Sequence, residues 1–170
     1  AWGDASTVCP WQMYATYGNK KILERQFESM CKYVEYISNN TNDKYLWTGF
    51  DHFGDWLGLD APAGSYKGSS NEDFIGSVFY SYATSLVIKA GKALGKDVSY
   101  YEDLYSNIVK RTREFFKEYK TQTECVIALY FDIAEDKAAV AKQLADMIIA
   151  NGTKLKTGFV GTPFLLHALS

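Results

Sequence analysis

The 170-residue chain is poor in the residues that build special chemistry: it has three cysteines, two histidines and three prolines. Cys9, Cys31 and Cys125 make no Cys-x-x-Cys pair, and an odd count closes no disulfide framework, so a disulfide scaffold is excluded and buried inert thiols are expected. His52 and His167 are too few and too far apart to suggest a metal site, so no metal and no cofactor is assigned. There is no basic stripe, because 18 basic and 20 acidic residues are interspersed, and nucleic acid is therefore not an expected partner. No apolar run is long enough to span a bilayer and no signal-peptide pattern opens the chain, so no membrane partner is expected. The chain instead begins abruptly on a motif, as a piece of a longer protein would.

What is present is apolar and aromatic. Hydrophobic residues make up 47% and charged residues 22%, the balance of a globular chain able to bury one core. Thirteen tyrosines stand out. Periodicity predicts seven helices, from about Ser6 to Tyr17, Lys20 to Ser38, Glu72 to Leu94, from Ser99, from Thr121, from Asp136 to Ala150, and from Pro163. The first, third, fifth and seventh are apolar around most of the cylinder and should be buried on more than one side. The second, fourth and sixth carry one apolar stripe and should lie outside. Capping boxes are read at Ser99-x-x-Glu102 and Thr121-x-x-Glu124, and a looser one at Ser70-x-x-Asp73. Gly18, Gly95 and Gly152 follow helices as stop signals.

An inner layer apolar on all sides, backed by an outer layer apolar on one, predicts an all-α fold of the α/α toroid kind. About three helical hairpins are present, half of an (α/α)6 barrel, and residues 1–170 are assigned to one partial catalytic domain. Inner helices starting near positions 6, 72, 122 and 163 are too unevenly spaced for a tetratricopeptide or HEAT array. Residues 39–71 show no helical period beyond a turn or two. The aromatic centre of this stretch (Tyr45, Leu46, Trp47, Phe50, Phe53, Trp56) should be packed, and its tail from Ala61 to Ser70 should be a flexible connector.

Up–down alternation carries a consequence. Every segment that precedes an inner helix falls at the same end of the bundle: Trp2-Gly3-Asp4, the loop holding His52-Phe53-Gly54-Asp55-Trp56-Leu57, Thr121 to Glu124, and Thr157 to Thr162. Two of these segments set a carboxylate beside an indole. A carboxylate accepts from hydroxyls and an indole offers a flat apolar plate to the C–H face of a ring, so the pairing suits a sugar. The competing structural reading makes Trp56 and Leu57 core residues, Asp55 a helix cap, His52 a satisfied loop residue and Glu124 a capping residue.

The same segments resemble a known family. Ala1-Trp-Gly-Asp-Ala-Ser-Thr-Val-Cys-Pro-Trp, Tyr17-Gly-Asn-Lys-Lys-Ile-Leu-Glu-Arg-Gln-Phe-Glu-Ser-Met and His52-Phe-Gly-Asp-Trp-Leu are similar to stretches of bacterial α-L-rhamnosidases of glycoside hydrolase family 78. So are Thr121-Gln-Thr-Glu with its apolar helix and Thr157-Gly-Phe-Val-Gly-Thr-Pro-Phe-Leu-Leu, in the same order. The resemblance implies an (α/α)6 barrel that hydrolyses terminal α-L-rhamnosyl bonds with inversion, using two carboxyl groups set apart to seat a water. In that family the acid is a Glu in an Arg-Asp-Glu-Arg stretch and the base a Glu in a Trp-Glu-Arg-like stretch. Neither occurs here, so no catalytic residue is assigned. The resemblance leaves a sugar subsite: Trp2 and Trp56 to stack on rhamnose and line its methyl group, Asp4 and Asp55 to accept from ring hydroxyls, and His52 to donate from the rim. The expected partners are a rhamnose-containing carbohydrate or glycoside and the remainder of the parent catalytic domain. The fragment itself should be inactive and self-associating. A trehalase-like or debranching toroid glycosidase, and a non-catalytic helical scaffold, remain the alternatives.

Overall fold

A computed structural model describes residues 2–170. Seven helices follow in order: α1 (Ala5–Tyr17), α2 (Lys20–Asn39), α3 (Glu72–Ala93), α4 (Ser99–Phe115), α5 (Gln122–Tyr130), α6 (Lys137–Ala150) and α7 (Thr162–Leu169). Among the described residues the only β pairing is an isolated antiparallel bridge between Trp56 and Lys67. Hairpins α1–α2, α3–α4 and α5–α6 stand side by side, and α1, α3, α5 and α7 touch in sequence along one layer. The described residues thus form three hairpins and one further helix. No helix among the described residues is long and apolar enough to cross a membrane.

Helix α3 is the spine. Its mean hydropathy is high and spread around the cylinder, and most of its length is buried. The first half (Phe74, Ile75, Val78, Phe79) shares one core with Cys125 to Ala128 of α5, against which Val140 and Leu144 of α6 and Leu165 of α7 complete the cluster. The second half (Tyr80, Ala83, Leu86, Val87, Ala90) packs with Leu23, Met30, Val34 and Ile37 of α2 and with Leu104 and Ile108 of α4. Two cores thus share one helix. A glycine allows the α3–α4 corner to close: a Cβ on Gly91 would sit 2.2 Å from Val98 Cγ1.

Several expectations change at the ends of elements. Helix α1 buries only Thr7 and Pro10, because it packs on α2 and α3 alone and its remaining sides meet no other element. Pro10 is the sixth residue of α1, past the first turn where a missing N–H is tolerated freely. Helix α3 is capped by Asn71, whose side chain accepts from the Phe74 amide, and not by Ser70. Helix α4 has no side-chain cap: Val98 occupies the cap position and Asp97 accepts from the Ser99 amide instead. Cys9 is exposed, whereas Cys31 and Cys125 are buried, and none is in a disulfide. Burial pushes the Cys125 thiol up to about 12, which suits an inert residue.

The tail of the long loop is no loose connector. The Leu57 amide donates to the Tyr66 carbonyl at 2.6 Å, and the Gly68 amide donates to the Asp55 carbonyl at 2.9 Å. Gly58 and Gly68 face each other so closely that a Cβ on Gly58 would lie 2.7 Å from the Gly68 Cα. Leu57 takes a left-handed φ of 56°, which a branched side chain adopts at a cost of about 1 kcal/mol or more.

Candidate carbohydrate-binding rim

The segments before the inner helices meet at one end of the layer. Two sets of hydrogen bonds tie them. In the first, Glu124 on the first turn of α5 accepts from the Asn71 amide at 2.7 Å through one oxygen and from the Lys120 amide through the other. Thr121, the cap of α5, accepts from the Glu124 amide at 3.1 Å, and its hydroxyl also pairs with that of Ser70 at 2.7 Å. The Thr-x-x-Glu motif is therefore a working cap, with one difference. Its glutamate reaches past its own helix and joins the starts of α3 and α5.

The second set centres on Asp55, which is 0% exposed. Its carboxylate accepts from the Val160 amide at 2.7 Å, the Gly158 amide at 2.7 Å and the Thr123 hydroxyl at 2.5 Å, with the Gly161 amide at 3.4 Å. The backbone N–H groups that lead into α7 form a concave anion nest, and the carboxylate of the long loop fills it. The Phe159 amide adds a bond to the Trp56 carbonyl at 2.9 Å. Only glycine permits this approach, since a Cβ on Gly158 would lie 2.5 Å from that same carbonyl oxygen. Sequence reading offered Asp55 as an acceptor for sugar hydroxyls or as a helix cap. It caps no helix of its own, and its oxygens face the protein's own donors.

The indoles lie outside this polar clasp. Trp2 is 51% exposed, Trp56 is half-buried and Leu57 is exposed, so the structural reading that makes Trp56 and Leu57 core residues does not describe this molecule. The Trp2 ring centroid is 5.6 Å from that of Phe53 and 6.2 Å from that of Phe159. Phe53 stands edge-on to the half-buried Trp56 at 5.8 Å, and Trp56 leans on Tyr66 at 5.5 Å. Trp2, Phe53, Phe159 and Tyr66 are all exposed large rings, so together with Trp56 they form a continuous aromatic surface. Phe50 and Phe53, expected to be packed, are exposed as well. Of the five rings in this surface, the two tryptophans were expected to meet a sugar and Phe53 was expected only to be packed. Phe159 was signalled by the Thr-Gly-Phe-Val-Gly-Thr stretch, without a role. Tyr66 had no local signal, because its position depends on the pairing of Trp56 with Lys67.

Asp4, two residues after Trp2, is buried. Its carboxylate accepts from the Tyr33 hydroxyl at 3.1 Å, and burial, followed by the Asp4 charge, pushes the Tyr33 hydroxyl well above its ordinary range. Gly3 allows the approach, since a Cβ there would lie 3.0 Å from the Tyr33 hydroxyl oxygen. His52 sits to one side, edge-on to Trp47 at 5.8 Å, with its Nε2 enclosed and without a hydrogen-bond partner. Burial lowers its basicity. His52 thus packs between loop aromatics and α3, where Gly76 makes room for the ring. Among the described residues, no group of three or more His, Cys, Asp or Glu side chains is placed to hold a metal ion.

A row of helical hairpins whose inner-helix starts converge on an aromatic rim is the architecture of an α/α toroid. Comparison with known proteins narrows the class. Residues 1–170 match the family model for the bacterial alpha-L-rhamnosidase 6 hairpin glycosidase domain, and the chain belongs to that family. It is 34% identical to an alpha-L-rhamnosidase of Formosa agariphila over 99% of its length, and 32% identical to one of Alteromonas sp. over the same share. The fold superposes on the crystal structure of Streptomyces avermitilis alpha-L-rhamnosidase complexed with L-rhamnose, with a TM-score of 0.84 and 29% identity over 98% of the chain. The chain spans only 19% and 20% of the two curated relatives and 16% of the solved one. It therefore corresponds to a part of each of these proteins.

Proposed function

We propose that this chain supplies one wall of the sugar subsite in a glycosidase that releases terminal α-L-rhamnose. The observation that carries the reading is the exposed Trp2–Phe53–Trp56 surface, mounted on the inner-helix starts of a fold whose solved relative holds L-rhamnose. Aromatic faces gain most against the apolar C–H side of a sugar, and a deoxysugar adds a methyl group where others carry a hydroxyl. An apolar wall at that point discriminates modestly, by tens- to about a hundredfold, against the hydroxylated sugar.

Trp2 and Trp56 are proposed to stack on the ring, with Phe53 bridging them and Phe159 extending the surface. Asp4 is buried against Tyr33, and His52 packs with Trp47 and Phe50, so both are proposed to brace the segments that carry the wall. No carboxyl pair suited to acid and base stands on the aromatic surface, since Asp4 and Asp55 are both buried. The two carboxyl groups of an inverting hydrolysis are then contributed by other parts of the domain.

The test is hydrolysis of an aryl α-L-rhamnoside by the intact protein. Wild type should turn it over with release of the free sugar, and the isolated 170-residue chain should not. Trp2→Ala and Trp56→Ala in the intact protein should each raise KM at least about tenfold, in line with the loss of one aromatic contact. An intact protein that cleaves α-glucosides but not α-L-rhamnosides would contradict the reading.

A further inference from the structure

We infer that Asp55 is a positioning residue that sets the spacing of the aromatic wall without meeting the sugar. This inference rests on the sugar-site reading above and deepens it. Three facts lead to it. The carboxylate is wholly enclosed, and donors of the protein surround it: the amides of Gly158 and Val160 and the hydroxyl of Thr123. Those donors belong to two other inner-helix starts, so one side chain joins the long loop, α5 and the approach to α7. Two of the three joined segments also carry a ring of the wall. Asp55 precedes Trp56, and the clasped amides of Gly158 and Val160 flank Phe159, which packs on Trp2.

The consequence is geometric. With the carboxylate in place, the Phe159 amide reaches the Trp56 carbonyl, and the two ring-bearing segments are locked side by side. A carboxylate is suited to this task because both oxygens only accept, while the nest presents only donors. An amide in its place keeps one acceptor and turns an N–H₂ group toward an N–H or hydroxyl donor. The loop then loses its register while Trp2, Phe53 and Trp56 remain chemically intact. A wall displaced by about 1 Å holds the sugar out of register, and a misplacement of that size costs up to about a hundredfold in turnover.

The experiment is a double-mutant cycle in the intact protein. Asp55→Asn, Phe159→Ala and the double variant are titrated with L-rhamnose by tryptophan fluorescence, and backbone amide exchange is followed at residues 158–160. Asp55→Asn is expected to weaken binding about 10- to 100-fold, to speed exchange at 158–160, and to leave protection along α3 unchanged. The double variant is expected to bind worse than Phe159→Ala alone by less than the product of the two single losses, because part of the Asp55 effect passes through Phe159. Independent, multiplying losses in the double variant, or unchanged exchange at 158–160, would overturn the proposal. Thr123→Val, which removes one donor and keeps the carboxylate, provides the same cycle with the same expected pattern if Asp55→Asn does not fold. If wild type fails to bind L-rhamnose at all, the sugar reading falls, while the exchange result still decides whether Asp55 holds the loop.

Discussion

Asp55 and Trp2 show how differently two neighbours at one site are made to work. The indole is half out of the protein, so its removal costs little stability. Trp2→Ala should lower the melting temperature of the intact protein by no more than a few degrees while impairing sugar binding. Asp55 is the reverse. Cutting it to alanine strands two buried amides and a hydroxyl, and the loss of their charge-assisted bonds should cost on the order of 3 kcal/mol, read by urea unfolding. A change below about 1 kcal/mol would mean that solvent replaces the carboxylate. His52 gives a pH signature. Its folded-state basicity is depressed by burial, so the unfolded chain takes up the proton first as pH falls. Stability from this group is fully present above its ordinary value near 6.5 and is lost as pH drops through the lower folded value. His52→Gln should flatten the decline in stability between about pH 7 and pH 5 relative to wild type. An unchanged slope would place the histidine in water.

At the scale of elements, the helix ends hold the molecule's specificity. Glu124 joins the starts of α3 and α5, so Glu124→Ala should cost about 2–3 kcal/mol and fray both helix starts together, visible as faster amide exchange at residues 71–75 as well as 121–125. Exchange confined to α5 would reduce it to an ordinary cap. The helices themselves were legible in the sequence because apolar spacing and glycine stops are local signals, and the observed bounds fall within a residue or two of the expected ones. The caps of α3 and α4 were less so. Ser70 has the right chemistry at nearly the right place, but its hydroxyl is engaged by Thr121, a partner from a distant part of the chain, and Asn71 caps instead. The tail of the long loop misled for the same reason. Its glycines and serines look like slack chain, whereas Gly58 and Gly68 serve a close crossing of backbones that composition does not reveal. The rim's location was legible from the alternation of helix directions. The roles within it were not, because burial separates a clasping carboxylate from a sugar-binding one, and burial at a loop is set by tertiary contact.

At the scale of the whole molecule, seven helices form an arc with unpaired flanks. The accessible surface is 9156 Å², against about 8,400 Å² for a folded monomer of 19.2 kDa. The excess, about 700 Å², is of the size that one partner contributes to a stable interface. Leu166, on α7, is 79% exposed, and Leu169 on the same helix, Ile149 on α6 and Leu155 between the two helices are exposed as well. The isolated chain should therefore self-associate at micromolar concentration in gel filtration, and a clean monomer there would show that these apolar residues are tolerated in water. The measurement that bears most directly on the account is a tryptophan-by-tryptophan fluorescence titration of the intact protein with L-rhamnose, replacing each of Trp2, Trp11, Trp47 and Trp56 by phenylalanine in turn. The account predicts that the sugar-induced change in emission disappears when Trp2 or Trp56 is replaced and persists when Trp11 or Trp47 is. A signal that depends on Trp11 or Trp47 and ignores the other two would place the sugar away from this rim and contradict the account.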